Sequence, residues 1–189
     1  MDQLAKSHFD NLYSDDATSR YASFQYLIKI TDQPVDWAYE IWDNVLLMLR
    51  DKNNHRRAIA AQLLSNLSKS DTKNRILKDI DELIKVTKDE KFVTARHSLQ
   101  SLWKIAVAKK EFKKKVTDLL VMRFNECVTE KNCTLIRYDI IEVFRKIYDQ
   151  LPDEKVKDQA LQLISTEEDI KYKKKYAGVW KDITGKAKA

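Results

Sequence analysis

Residues 56–67, RRAIAAQLLSNL, carry the clearest helical signal in the chain. Counted from Arg57, the apolar residues Ala60, Leu64 and Leu67 fall at positions +3, +7 and +10. An α-helix turns once every 3.6 residues, so these three side chains share one side of a helix. The segment therefore predicts a helix that begins near a basic residue and buries one apolar face.

The same register occurs four more times along the chain. In each case a basic residue is followed at +3, +7 and +10 by mostly apolar residues, and acidic residues lie shortly before it. The four segments are Arg20 with Ser23, Leu27 and Ile30; Arg96 with Leu99, Trp103 and Ala106; Arg137 with Ile140, Phe144 and Ile147; and Lys173 with Tyr176, Trp180 and Ile183. Successive basic residues are 37, 39, 41 and 36 positions apart. A period of this length indicates an internal repeat.

A second set of amphipathic segments lies between these helices. They cover residues 2–13, 35–50, 72–86, 111–126 and 152–164. The chain has only two glycines and two prolines, the residues on which the turns of strand-rich folds depend. The sequence therefore predicts an all-α fold of ten helices in five antiparallel pairs. The predicted units are residues 1–31, 32–70, 71–108, 109–149 and 150–184, followed by a short tail at 185–189.

Helix pairs of this period, with acidic residues and then an arginine leading into the second helix, resemble the HEAT-repeat family. The lead is clearest in DKNNHRRAIAAQLLSNL (residues 51–67) and DEKFVTARHSLQSLWKI (residues 89–105). The resemblance covers nearly the whole chain and implies an armadillo-type α-solenoid. It also implies that the basic residue pairs with an acidic group of a neighbouring repeat. In such a stack the second helices line the concave surface.

Sequence signatures of catalysis are absent. The only glycines are Gly178 and Gly185, so there is no glycine-rich loop that could hold a phosphate. His8, His55 and His97 lie in different repeats and lack partners at metal-ligand spacing. The sequence therefore predicts a protein that is not an enzyme, with no catalytic residues, no cofactor and no metal.

Cys127 and Cys133 are the only cysteines. In a lysine-rich chain without a signal-peptide pattern, two cysteines are typical of free thiols in a reducing cytoplasm. A Cys127–Cys133 bridge is the alternative. No apolar run approaches the length of a membrane span. We therefore expect a cytoplasmic protein without a membrane partner.

Positive charge is concentrated in the second half of the chain. Residues 1–94 carry 14 Lys and Arg against 15 Asp and Glu, whereas residues 95–189 carry 21 against 14. Two clusters account for much of the excess, at residues 109–115 and 171–181. They indicate either solvated helix faces or a patch that binds anions. The aromatic residues of the second cluster, Tyr176 and Trp180, occupy the apolar register and are predicted to be core.

Positions +1, +5 and +8 of each second helix point away from the predicted core, since each residue advances about 100° around the helix. By the resemblance, these positions face a ligand. The +8 positions are Ile28, Ser65, Lys104, Arg145 and Lys181, so three successive repeats carry a cation at the same height. The candidate partner-binding residues are His97, Lys104, Tyr138, Arg145, Lys174 and Lys181.

Three functions follow from these patterns. The first is a non-enzymatic scaffold that binds a protein or peptide on the concave face, most naturally an acidic partner at the basic C-terminal repeats. The second is a nucleic-acid-binding protein, which the basic second half favours. The third resembles the alkylated-base DNA glycosylases, with Tyr138, Asp139 and Trp103 as the nearest candidates. In every case Leu64, Trp103 and Phe144 are predicted to be buried core.

Overall fold

A computed structural model describes residues 1–185, and this part of the chain is helical without β-strands. The helices are α1 (Gln3–Asn11), α2 (Ala17–Ile30), α3 (Ala38–Met48), α4 (Asn54–Leu67), α5 (Ile76–Val86), α6 (Phe92–Ser101), α7 (Trp103–Ala108), α8 (Lys110–Glu126), α9 (Cys133–Gln150), α10 (Glu154–Thr166), α11 (Ile170–Val179) and α12 (Lys181–Thr184). The predicted all-α class is confirmed. Of the tail predicted at 185–189, only Gly185 lies within the described residues.

Side-chain caps explain where several helices begin. The carboxylate of Asp16 accepts a hydrogen bond from the backbone N–H of Ser19 at 2.8 Å, and Asp2, Asn53, Asp153 and Asp169 cap their helices in the same way. Such a cap satisfies a backbone donor that the first helical turn leaves unpaired. Asp71 caps α5 from further upstream. Its carboxylate accepts from the N–H groups of Arg75 and Ile76, so α5 begins later than the sequence predicts.

The helices predicted as second members of each pair contact one another in chain order. α2 contacts α4, α4 contacts α6 and α7, these two contact α9, and α9 contacts α11. Each also contacts its predicted first helix: α1 with α2, α3 with α4, α5 with α6, α8 with α9 and α10 with α11. The second helices therefore form a continuous row.

Most of the predicted apolar register is buried. Leu64 and Phe144 are completely inaccessible to solvent, as are Tyr176 and Trp180 near the C-terminus. The prediction that these four residues belong to the core is confirmed. Burial of such side chains supplies the main stabilising free energy of the fold.

Trp103 is partly buried and packs against the core, so the prediction of a fully buried position for it is confirmed only in part. The third second-type helix is interrupted between α6 and α7, where the N–H of Leu102 bonds to the carbonyl of Leu99, three residues back, at 3.2 Å. A three-residue turn advances each side chain by about 120° instead of 100°, which shifts the register. Leu102 is fully buried, whereas Trp103 packs at the edge of the core and is only partly buried.

Arginine–carboxylate pairs connect three of the second helices with the next second helix or with the segment just before it. Arg57 forms two hydrogen bonds with Asp89, at 2.6 and 2.9 Å, and Arg96 forms two with Asp139, both at 2.7 Å. Arg137 continues the series with Glu167, at 3.0 Å. At the two ends, Arg20 and Lys173 instead donate to the backbone carbonyls of Ser14 and Ser165.

The longer-range ion pairs of residues 1–185 share a common spacing. They join positions 30 to 43 apart, which is close to one repeat. Among the first-type helices, Arg50 just after α3 pairs with Glu82 of α5, and Arg75 just before α5 pairs with Asp43 of α3. Lys113 of α8 pairs with Asp153 just before α10. Each pair therefore connects successive first-type helices or the segments at their ends.

Cys127 and Cys133 are free thiols whose sulfur atoms lie 2.7 Å apart. The Cys127 side chain is completely buried, in the short 3-10 turn before α9. Burial raises the pKa of the Cys127 thiol to about 12 from its ordinary value of 9.0, and the hydrogen bond with Cys133 contributes to the increase. Since the thiolate is the nucleophile, Cys127 is unreactive in the folded protein.

We expect iodoacetamide to alkylate Cys127 much more slowly in the native protein than in the chain unfolded by guanidinium chloride. At about pH 9 an ordinary thiol is half ionised, and Cys127 is not. Mass spectrometry of tryptic peptides measures the two rates. The raised pKa of Cys127 also makes stability depend on pH. It stabilises the fold below about pH 9, and this stabilisation is lost as the pH rises toward 12. Equal alkylation rates in the native and unfolded chains would contradict the prediction.

Candidate functional site

Two neighbouring cavities open on the row of second helices. The larger, of about 490 Å³, is the apolar pocket and lies between α2 and α4, with walls that include Tyr21, Phe24 and Ile59. The smaller, of about 190 Å³, is the cationic pocket and contains Lys104 and Lys146. The two cavities share Gln62 and His97 as lining residues, so they form one depression across α2, α4, α6, α7 and α9.

The walls of the apolar pocket come from residues at helical spacing. Tyr21 and Phe24 lie three positions apart on α2, so they share a face, and their ring centroids are 6.4 Å apart. Ala58 lies opposite them on α4, where its small side chain leaves space. Tyr21 is 63% exposed although it is a large aromatic residue. The pocket therefore presents apolar surface to solvent.

Lys104 is held in the cationic pocket by a buried amide. Its Nζ donates to Oδ1 of Asn66 at 2.6 Å, and the Asn66 Nδ2 donates to the backbone carbonyl of Ile28 at 2.9 Å and to the hydroxyl of Thr31 at 3.1 Å. Asn66 is completely inaccessible to solvent. This network fixes the ammonium group at the point where α2, α4 and α7 meet.

The positive charge in this pocket is not neutralised by a carboxylate. Burial lowers the pKa of Lys104, and the positive charges of Lys69 and Lys146 lower it further, although Asp32 acts in the opposite direction. Lys146 is exposed on α9 and lines the same cavity. Within residues 1–185, neither Lys104 nor Lys146 forms an ion pair with an acidic side chain. An anion bound here would gain from both charges.

Of the six predicted site residues, the structure brings two together at this depression. His97 and Lys104 line it. Tyr138 is half-buried on α9, where its ring centroid lies 6.3 Å from that of Tyr176. Lys174 and Lys181 are exposed on α11 and α12. These last three residues are not among the residues that line the two pockets.

Arg145, the remaining predicted site residue, is occupied by contacts within the protein. Its guanidinium pairs with Asp182 at 2.6 Å and with Asp149 at 2.7 Å, and it also donates to the carbonyl of Val179 at 2.7 Å. Hydrogen bonds to Asp182 and Asp149 raise the pKa of Arg145. Arg145 thus joins α9 to the C-terminal helices, and the predicted row of three equivalent cations is reduced to Lys104 and Lys181.

Two other positions predicted to face a ligand are buried between helices. Ser65 is completely inaccessible, and its Oγ lies 2.8 Å from the Oγ of Ser101, which is also buried. Small side chains allow α4 and α6 to approach closely, so this face is in part a helix–helix contact. Sequence reasoning missed Phe24 and Lys146 for a related reason. Each lies one position from a predicted face position, Phe24 at +4 and Lys146 at +9.

The basic cluster at residues 109–115 is largely paired. Lys113 contacts Asp153 at 2.5 Å, Lys114 contacts Asp118 at 2.6 Å, and Lys115 lies 3.5 Å from Asp81. Of the two interpretations offered by the sequence, this cluster fits a solvated helix face with local ion pairs. It provides less uncompensated charge than its composition indicates.

The aspartate considered for a glycosylase-like reaction is held by hydrogen bonds within the protein. Asp139 is completely buried, and its carboxylate accepts two hydrogen bonds from Arg96 and one from Gln100 at 2.9 Å. Trp103 borders the cationic pocket, on a different part of the row. Asp139 therefore acts in the contact between α6 and α9.

In the part of the chain that the structure covers, no helix has the length and apolar character needed to cross a membrane. The same residues contain no group of three or more His, Cys, Asp or Glu side chains that could hold a metal ion. No protein-family model matches the sequence, and no match was found among the curated proteins.

Proposed function

We propose that this chain is a non-enzymatic interaction module that binds an acidic protein or peptide on the face formed by its second helices. The observation that carries the proposal is the depression across α2, α4, α6, α7 and α9, in which Lys104 and Lys146 lack carboxylate partners. A concave region with uncompensated positive charge attracts negatively charged partners and orients them.

The proposal includes a HEAT-like α-solenoid as the scaffold. Two features support it: the second helices contact one another in chain order, and the longer-range ion pairs join positions about one repeat apart. In a solenoid each repeat contacts only its neighbours, which leaves an extended surface for a partner. We also propose a cytoplasmic location, which the two free thiols support.

A protein or peptide partner is favoured over nucleic acid by the distribution of charge. Nucleic-acid binding depends on several cations that contact phosphates along a strand or groove. Here Lys113, Lys114 and Lys115 have acidic partners, and Arg145 has two. The uncompensated cations of the depression are few and adjoin an apolar pocket, which suits an acidic segment of a protein.

Selection from a phage-displayed library of random peptides tests the proposal. We expect the selected peptides to be enriched in Asp and Glu, and their affinity to fall about fivefold or more in the Lys146→Glu variant. Lys114→Glu on α8 is the matched control, because it makes the same charge change at another exposed site and should leave the affinity unchanged. Circular dichroism of both variants verifies that the fold is retained.

The proposal is wrong if the selected peptides lack acidic residues. It is also wrong if Lys114→Glu lowers their affinity as much as Lys146→Glu does. Binding of duplex DNA with a steep dependence on salt, sensitive to Lys146→Glu, would instead assign the depression to nucleic acid.

A further inference from the structure

The apolar and cationic pockets adjoin, and this adjacency specifies the chemistry of the partner in more detail. Gln62 on α4 and His97 on α6 line both cavities, so the two cavities border each other at these side chains. Apolar surface and uncompensated charge are therefore presented side by side.

The apolar pocket has room for a bulky apolar side chain and walls that suit one. Its volume of about 490 Å³ exceeds that of the cationic pocket, and its walls combine Tyr21 and Phe24 with Ile59 and Ala58. Aromatic and aliphatic walls favour an apolar guest, since each buried apolar surface is removed from water. The high exposure of Tyr21 shows that no residue of the described chain covers this wall.

The cationic pocket has the chemistry of a carboxylate site. The ammonium of Lys104 is fixed by Asn66, and Lys146 approaches from α9. Gln100 also lines the cavity; its amide donates one N–H to Asp139, and the second N–H can donate to an anion. A donor that is already held in place loses little conformational entropy when a ligand binds. The site is therefore preorganised for an anion.

We propose that the partner presents a short segment in which a bulky apolar side chain fills the apolar pocket and a neighbouring acidic side chain binds Lys104 and Lys146. This inference rests on the proposed function and adds the apolar anchor and its proximity to the acid. The cluster of two pockets thus recognises an acidic–apolar motif rather than negative charge alone.

Synthetic peptides test this motif. The parent peptides carry one phenylalanine and a pair of glutamates, separated by glycine spacers of varied length and in both orders along the chain. Two matched peptides replace either the phenylalanine with glycine or the glutamates with glutamine. Affinity is measured by nuclear magnetic resonance titration of the full chain, using the amide signals of Gln62 and His97. We expect the best parent to bind about tenfold more tightly than either matched peptide.

Two variants of the protein separate the pockets. Tyr21→Ala removes an exposed apolar wall and should lower the affinity for the parent peptide by about tenfold. It should leave the affinity for the peptide that lacks phenylalanine unchanged. Lys146→Glu should weaken the parent and the phenylalanine-free peptide, but not the glutamine peptide. Lys114→Glu should change none of the three.

The outcomes distinguish this inference from the function on which it rests. If the phenylalanine-free peptide binds as tightly as the parent and Tyr21→Ala has no effect, the apolar anchor is refuted and the acidic partner stands. If neither the glutamates nor Lys146 affects binding, or if no peptide binds, the proposed function fails as well. A different outcome is that a thymidine oligonucleotide displaces the parent peptide and binds more weakly to the Tyr21→Ala variant. That result would assign both pockets to nucleic acid and overturn the proposal.

Discussion

Replacing Phe144 with alanine is expected to lower the free energy of unfolding by about 3–5 kcal/mol. The ring is completely buried on α9, the helix that contacts α6, α7, α8, α10 and α11. Truncation loses the transfer free energy of the ring and leaves a cavity that these helices can close only in part. Urea titration followed by circular dichroism measures the change.

Lys174→Ala is the control for this experiment. Lys174 is exposed on a helix, and such a substitution changes stability by about half a kcal/mol. A small loss in Phe144→Ala, similar to that of the control, would mean that α9 is not packed as the structure describes.

Replacing Arg96 with alanine is expected to lower the free energy of unfolding by about 3 kcal/mol. The substitution leaves the carboxylate of Asp139 completely buried with Gln100 as its remaining side-chain partner. The expected loss lies at the lower end of the range for buried pairs because the Arg96 side chain is itself 36% exposed. Chemical denaturation of the full chain measures the loss.

Two comparisons make this prediction specific. Arg50→Ala breaks another pair between neighbouring repeats, Arg50–Glu82, but the arginine side chain there is 66% exposed, so the loss should stay below about 1 kcal/mol. The double variant Arg96→Ala/Asp139→Leu removes the buried charge and should regain much of the stability. Equal losses in the free energy of unfolding for Arg50→Ala and Arg96→Ala would show that burial of Asp139 does not determine the contribution of the Arg96–Asp139 pair.

The sequence predicts the helices well because their signals are local. Apolar spacing and caps such as Asp16 depend on residues within two or three turns of one another. Trp103 is less buried than the sequence predicts because a single tightened turn at Leu102 changes the register without a glycine or proline to mark it. The burial of Ser65 and Ser101 depends on how closely two helices approach, which hydrophobicity alone does not encode.

The candidate site is predicted only in part, since it depends on which charges find partners. Lys104 and Arg145 look equivalent at position +8, but Arg145 meets Asp182, which lies 37 residues later in the chain. Lys104 meets the amide of Asn66, which leaves its charge uncompensated. Pairing between residues so far apart in sequence follows from the packing of the helices. The spacing of residues along one helix does not predict it.

The spacing of the ion pairs has a consequence for how the chain acquires its structure. These pairs reach no further than 43 positions, in a chain of 189 residues. Folding rate falls as the mean sequence separation of contacting residues grows, so a fold with such local pairing is expected to form quickly for its size. It is also suited to synthesis from the N-terminus. When Asp89 leaves the ribosome, its partner Arg57 is already available, and assembly can begin before the last helices are made.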